Sequence, residues 1–422
     1  MSIIRDAEIE NYLKEFTKKI FEASNINPDT ISVSIVNDNK INAFVAKGNN
    51  LFIYTGLLTQ SETPEQIIGV VAHELGHIVG GHLVRLEGQN KKTSTAMLLS
   101  TLAGGLAMIA SGRSDVGSAV AMGGMSSSMG SYFNYRRSEE NSADLYATKV
   151  LEETGESSLG LLQFMKKINH NDALLSNNQD PYFRTHPLTP ERISFLDNFV
   201  KSSKYTNKPS NPDFVRKHQR LVTKLKAFLD NPVTTLSKYP KEDVSLIARY
   251  ARAIAYYRQL KTNDSLKELD SLLTEFPNDP YFNELKGQIL FEGSKINDSV
   301  PYYQKAVDNL SNNPLLMYGL ASALIETNNT NNINQAISYL RKVVDLEKDN
   351  SGAWRLMANG YGRLNDMGKA WEATAEYSFI IGDTKMAELN AKKAIDVLAK
   401  DSPSWIRMKD ILQETNFYNK KD

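Results

Sequence analysis

The stretch VVAHELGHIVGGHLVR, residues 70–85, decides the interpretation of this chain, because it carries three of the six histidines. His73 and His77 are four residues apart, so on a helix they lie on one face, one turn from each other. Two imidazoles placed in this way can bind one zinc ion, and Glu74 lies beside them, close enough to accept a proton from water. The alternative is a buried helix that carries these residues by chance. A glutamate on such an apolar face is costly without a metal or a partner, which favours the metal site.

The residues before this stretch predict where its helix begins. Thr63 is a typical N-cap residue, Pro64 stands at the first helical position, and Gln66 completes a capping box. We therefore predict one helix from about 64 to 86. On a continuous helix His82 lies about 180° around the axis from the first motif histidine, so we expect it to face away as a packing or capping residue.

A zinc site in a hydrolase usually has three protein ligands and an open position, so one ligand must come from elsewhere in the chain. The best carboxylate lies in RRSEENSADLYA, residues 136–147. Glu140 and Asp144 are four residues apart on one helical face. Glu140 can complete a His/His/Glu site, and Asp144 can accept a hydrogen bond from a ligand imidazole and orient it. Glu139 is the rival ligand, but an exposed acid at the start of a helix fits it better.

Composition excludes several classes of function. The chain has 422 residues, equal numbers of basic and acidic residues (49 each) and no cysteine. The balanced charge gives no indication of a nucleic-acid partner. The missing cysteine excludes thiol catalysis, disulfides and cysteine-ligated zinc. The start, MSIIRDAEIENYLKEF, has no apolar run and is not a signal peptide, which leaves a cytoplasmic protein or a periplasmic one whose leader is removed.

The N-terminal region predicts a helix over 6–24, followed by a small meander or curled sheet over 31–56. The strand INAFVAK can present an edge along which an extended substrate adds as another strand, with Asn42, Ala43 and Phe44 as the substrate-binding residues. Such binding uses the backbone of the substrate, so specificity would be broad and would favour unfolded chains.

The segment 95–131 is nearly free of charge and rich in small residues. Its apolar run is shorter than the ~20 residues that a membrane-spanning helix needs. Two interpretations remain: a buried helical hairpin, or an exposed apolar surface that contacts a membrane or unfolded protein.

The C-terminal half is repetitive. Pro280 and Pro314 are 34 residues apart, counting back by 34 gives Leu246, and a further unit begins near Ser351. A period of 34 is typical of tetratricopeptide repeats, which stack as helix pairs and form a concave groove for a protein partner.

The predicted fold class is α+β and mainly helical. We expect a zinc metallopeptidase domain with a small β-sheet over 1–200, a polar linker over 201–213 and an α-solenoid of repeats over 214–422.

HELGH, then ENSAD as an ExxAD motif, then RTHPLTPERI together resemble the zinc metallopeptidases of the HtpX and CaaX prenyl protease type, which are gluzincins. With the repeats, the whole chain is similar to the bacterial periplasmic beta-barrel-assembly-enhancing proteases. The resemblance implies one zinc ion held by His73, His77 and Glu140. It also implies Glu74 as the general base and Asp144 as the support of a ligand.

His186 lies in the THP of that third motif. It could stabilise the oxyanion of the tetrahedral intermediate, serve as a fourth zinc ligand that keeps the enzyme idle, or enter the next helix bonded to backbone. We treat Arg192 as structural, paired with an acid of the core. His170 and His218 show no partner motif and are expected at the surface.

Two functions compete at this point. One is a zinc endopeptidase that degrades misfolded or unassembled proteins in envelope quality control, with a chaperone-like accessory activity. The other is a repeat-based binding scaffold or chaperone in which the zinc site is latent or structural. For either one, the resemblance suggests the outer-membrane barrel assembly machinery as a partner of the repeat groove.

Overall fold

A computed structural model describes residues 2–27, 30–46, 50–82, 85, 92, 94, 96–101, 114–174 and 186–419. The chain divides into two compact units, Met1–Lys226 and Ala227–Asp422. This division falls later than the expected linker at 201–213. The helix after that linker contacts the first helix of the chain, where Lys217 pairs with Glu15, and Arg220 Nε lies 2.8 Å from Glu8 Oε1.

The first unit is mainly helical with one small sheet, as the sequence predicts. Its elements in chain order are β1 (Ile3–Ile4), α1 (Ala7–Ala23), β2 (Ser32–Val36), β3 (Ala43–Ala46), β4 (Asn50–Tyr54), α2 (Thr55–Gln60), α3 (Pro64–Val79), α4 (Ser114–Thr154), α5 (Leu159–Leu174), α6 (Pro190–Ser202) and α7 (Pro212–Leu229).

The sheet is not the expected meander. Its strand order is β1-β2-β4-β3, with β2 parallel to β4 and β3 antiparallel to β4. Thr55, just after β4, donates a hydrogen bond from Oγ1 to the carbonyl of Asp38, just after β2, at 2.8 Å. This contact holds the ends of β2 and β4 side by side, so β3 is left at the edge of the described sheet, where it packs against α3.

Helix α3 begins at Pro64, as predicted, but ends at Val79 instead of near 86. Gly81 adopts a φ of +61°, a left-handed conformation that ends a helix and that glycine adopts without strain. The predicted capping box does not form, because the Thr63 side chain makes no cap hydrogen bond. Gln66 instead accepts a hydrogen bond from the backbone N–H of Glu62 at 2.9 Å.

The segment 95–131 does not form a buried hairpin where it is described. Residues from 114 onward belong to α4, a single helix of 41 residues. Large apolar side chains along the described part of the segment are exposed, namely Leu98, Leu99, Met122 and Met125. The second interpretation, an exposed apolar surface, therefore fits the described residues. None of the described helices is both long and apolar enough to cross a membrane.

The second unit is a series of helices: α8 (Pro232–Lys238), α9 (Leu246–Arg258), α10 (Thr262–Glu275), α11 (Pro280–Glu292), α12 (Ile296–Asn309), α13 (Pro314–Glu326), α14 (Thr330–Leu346), α15 (Ser351–Arg363), α16 (Met367–Ile380), α17 (Thr384–Ile395) and α18 (Pro403–Asn419).

The predicted repeat starts are confirmed, because α9, α11, α13 and α15 begin at the four expected residues. Each of these helices is capped by the side chain of the preceding residue, and the caps are Ser245, Asp279, Asn313 and Asn350. The first three caps thus recur every 34 residues, and the fourth follows 37 residues after the third.

Candidate metal centre

The close packing of α3 on α4 builds the site. A Cβ added at Gly76 would lie 2.8 Å from the Ala143 Cα and 2.9 Å from its carbonyl oxygen, so only glycine permits this approach. Gly76 lies between the two histidines of the HELGH motif, and Ala143 lies between Glu140 and Asp144. The contact therefore brings the histidine face of α3 against the carboxylate face of α4.

Three side chains converge across this contact. The Nε2 atoms of His73 and His77 are 3.2 Å apart. Glu140 Oε2 lies 3.4 Å from His73 Nε2, and its Oε1 lies 3.5 Å from His77 Nε2. Together with His186, these residues offer four buried ligand atoms within 4.8 Å of one another, a group that could hold a metal ion.

The protonation pattern fits a cation at this point. Asp144 Oδ1 lies 2.8 Å from His73 Nδ1, so we assign a proton to Nδ1. Proton transfer to that carboxylate is disfavoured, since Arg192 lowers the pKa of Asp144 against the effect of burial, which raises it. In the neutral His73 ring, Nε2 then carries a lone pair. This lone pair faces the imidazole of His77 and the carboxylate of Glu140. Acceptors that face one another in a buried site need a positive charge between them.

In the metal-free chain a proton on His73 supplies this positive charge. Burial lowers the pKa of His73, but the Asp144 and Glu140 carboxylates raise it more, to about 9. The pKa of His77 is well below its ordinary value, mainly because the ring is buried. Burial raises the pKa of Glu140, but the His186 and Arg192 charges together hold it well below its usual range. The third donor is therefore an ionised carboxylate.

Arg192 is part of the site and not only of the core. Its side chain is fully buried, and it binds Asp144 through Nε at 2.6 Å and Nη2 at 2.9 Å. Its Nη1 lies 2.8 Å from Glu140 Oε2. The expected pairing with an acid of the core is present, but the contact with Glu140 was missed. The only signal in the sequence is the spacing of six residues from His186.

Glu74 and His186 lie together beside the three donors. Glu74 is buried, its carboxylate oxygens make no hydrogen bond within the described part of the chain, and Oε1 lies 3.3 Å from His186 Nε2. Burial raises the pKa of Glu74, as a general base working near neutral pH requires. His186 Nδ1 lies 3.3 Å from Glu140 Oε2, so this ring contacts the centre on two sides.

The expectations for His82 and Glu139 are wrong. His82 is buried, its Nδ1 lies 2.8 Å from His77 Nδ1, and its Nε2 lies 2.9 Å from Glu139 Oε2. The reasoning failed because it assumed a continuous helix, whereas the turn at Gly81 brings His82 back toward the site. The sequence feature that indicates this turn is the Gly-Gly pair before His82. His218 is also buried and not at the surface, and the His170 side chain lies outside the described residues.

The expected substrate strand lies at the edge of the described sheet. Ala43 is buried, whereas Phe44 lies on the other face and stacks on Phe52 with ring centroids 5.0 Å apart. The carbonyl of Asn42 accepts a hydrogen bond from the Tyr54 N–H at 3.0 Å. The strand that begins at Ala43 is in contact with the α3 helix of the centre.

A buried pair of histidines and a glutamate, with a second glutamate of the HExxH motif beside them, define a metallopeptidase. Comparison with known proteins agrees with this class: residues 7–200 match the model of peptidase family M48.

The chain is similar to the beta-barrel assembly-enhancing protease of Escherichia coli (strain K12), with 24% identity over 378 residues, which are 89% of this chain and 76% of that protein. It is also similar to metalloprotease LoiP of the same organism, with 27% identity over 175 residues, which are 41% of this chain and 64% of that protein. Among solved structures, the chain is similar to YrrB, a TPR protein with an unusual peptide-binding site. The TM-score is 0.36 and the identity is 17%, and the match covers 46% of this chain and 97% of YrrB.

Proposed function

We propose that the chain is a zinc-dependent endopeptidase that degrades misfolded or unassembled proteins in the periplasm of a bacterial cell. The observation that carries this proposal is the convergence of four buried ligand atoms within 4.8 Å, next to the carboxylate of Glu74. Imidazole nitrogens and one carboxylate are the ligands of many catalytic zinc sites, and without cysteine the set is unsuited to an iron–sulfur cluster.

In the proposed mechanism His73, His77 and Glu140 would hold the ion. Zinc, when bound, would act as a Lewis acid toward the scissile carbonyl and would make a water molecule more acidic. Glu74 accepts the proton of the attacking water and passes it to the leaving amine. Asp144 keeps the His73 ring oriented so that Nε2 faces the ion.

His186 has two candidate roles that its position supports. Its Nε2 lies 3.3 Å from Glu74 Oε1, near the place where the reacting carbonyl would lie, so it could stabilise the oxyanion. It could equally be a fourth ligand that keeps the enzyme idle until it is displaced. Replacement of His186 by alanine distinguishes them, because more proteolysis indicates a gate, and lost activity with zinc retained indicates an oxyanion donor.

For substrate binding, we propose that an extended chain pairs with β3 along Asn42, Ala43 and Phe44, which selects unfolded segments through their backbone. We assign residues 1–200 to catalysis and the repeats of 214–422 to protein binding. The similarity to a protein named beta-barrel assembly-enhancing protease supports the outer-membrane barrel assembly machinery as a partner of the repeats. The exposed apolar side chains within 95–131 support peripheral contact with a membrane.

The deciding experiment measures zinc content and casein cleavage for the wild type and for Glu74→Gln. We expect both proteins to bind one zinc ion, and cleavage by the wild type alone, because the amide cannot accept the proton. If both bind zinc and neither cleaves casein, the chain is a binding scaffold or chaperone with a latent or structural zinc site.

A further inference from the structure

We propose that His82 is a positioning residue, which holds the His77 imidazole in the tautomer and orientation that bind metal and is itself anchored by Glu139. The inference rests on the proposed metal site, since it needs His77 as a ligand. Its evidence is a chain of two contacts, from His77 Nδ1 to His82 Nδ1 at 2.8 Å and from His82 Nε2 to Glu139 Oε2 at 2.9 Å.

The two ends of this chain fix the proton on each ring. A metal at His77 Nε2 requires a lone pair there, so the proton of that ring is on Nδ1. His82 Nδ1 must then accept, which places the His82 proton on Nε2. This atom faces the carboxylate of Glu139, which accepts only. Each of the two protons is then on an atom that has an acceptor within 2.9 Å.

The backbone is built to place the His82 ring in this position. A Cβ added at Gly80 would lie 2.1 Å from His82 Nε2 and 2.5 Å from its Cδ2, so the ring lies directly over a residue that has no side chain. Gly81, with a φ of +61°, turns the chain so that the ring can return.

The two contacts also give His77 the kind of support that His73 has. His73 contacts a carboxylate directly, since its Nδ1 lies 2.8 Å from Asp144 Oδ1. Among the described residues, none places a carboxylate at His77 Nδ1, and His77 reaches one through His82. Each imidazole ligand is thus supported by a different acid, Asp144 for one and Glu139 for the other. A ligand ring that is oriented and made more basic in this way binds metal more tightly.

The test compares His82→Phe, which keeps a flat aromatic ring but cannot accept a hydrogen bond, with His82→Asn, whose Oδ1 can accept from His77. The readouts are the zinc dissociation constant by chelator competition and the visible spectrum of the cobalt-substituted protein. We expect the phenylalanine variant to bind zinc 10- to 100-fold more weakly, about the loss found when such supporting contacts are removed. It should also change the cobalt spectrum, and the asparagine variant should recover most of the loss.

His218→Asn is the matched control, because it removes a buried histidine that contacts Ser61 and not the metal centre. It should leave zinc affinity and the cobalt spectrum unchanged. An unchanged dissociation constant and spectrum in folded His82→Phe overturn the proposal. If that variant does not fold, Glu139→Leu, whose side chain cannot accept a hydrogen bond, takes its place, and wild-type zinc affinity and spectrum in Glu139→Leu overturn it as well. The wild type binding no zinc would instead refute the proposed function.

Discussion

Replacing Gly76 by alanine tests whether the α3–α4 contact sets the geometry of the metal centre. The new Cβ would lie 2.8 Å from the Ala143 Cα, and ordinary contacts of this kind begin at 3.4 Å. The two backbones must therefore separate by about 0.6 Å, since a backbone atom cannot rotate away as a flexible side chain can. Functional metal sites require ligand distances correct to about ±0.2 Å, so the shift of Glu140 from the two histidines exceeds the tolerance.

Two energies act on the stability of this variant. Overpacking costs about 1–3 kcal/mol, and the better helix propensity of alanine returns up to about 1 kcal/mol. We therefore expect a modest loss in the free energy of unfolding but a zinc affinity at least about tenfold weaker, as for other perturbations of ligand orientation. Zinc affinity is measured by chelator competition, and unfolding by denaturant titration of the metal-free protein.

Gly362→Ala is the control, because an added Cβ there meets no atom within 4 Å in the part of the chain that the structure describes. It should gain up to about 1 kcal/mol from helix propensity and leave zinc binding unchanged. Wild-type zinc affinity in Gly76→Ala would refute the argument that this contact positions the ligands.

Two further predictions concern protons. Burial lowers the pKa of His218 to about 4 from 6.5. As the pH falls, the unfolded chain therefore takes up a proton on His218 before the folded chain does. Neutral His218 contributes about 3 kcal/mol to the free energy of unfolding above pH 6.5, and this contribution is lost as the pH falls to about 4. Unfolding of the wild type and of His218→Gln, followed from pH 7 to 4, should show the steeper loss in the wild type, and parallel curves would contradict this origin. Zinc binding at pH 7 should release at least one proton, because His73, with a pKa of about 9, is protonated in the metal-free chain. Calorimetry in buffers of different ionisation enthalpy measures this release, and a heat independent of the buffer would count against it.

The sequence predicted those features that depend on local spacing. The pair His73 and His77 and the pair Glu140 and Asp144 are each four residues apart, so helical periodicity alone puts each pair on one face. The repeat starts follow in the same way, because a cap residue recurs at each helix start. Periodicity within one element needs no knowledge of the rest of the fold.

The features that were missed depend on where one element meets another or ends. His82 was judged from an ideal helix, and its true position depends on a left-handed Gly81 that no periodicity reveals. The sheet order pairs β2 with β4, which are not consecutive in the sequence, so spacing within one strand does not reveal it. Arg192 was given a structural role, although its partners Asp144 and Glu140 lie on another helix.

The charges of the buried centre explain why a divalent ion suits it. Glu140 and Asp144 are ionised and, with an ionised Glu74, contribute −3, while Arg192 contributes +1, so the cluster carries −2 when its histidines are neutral. A buried net charge of this size is unfavourable and must be neutralised. In the metal-free chain a proton on His73, whose pKa is raised to about 9, offsets part of this charge, and burial raises the pKa of Glu74. A divalent cation neutralises the same charge and leaves Glu74 free to ionise, so metal binding and the activation of the general base are two consequences of one charge balance.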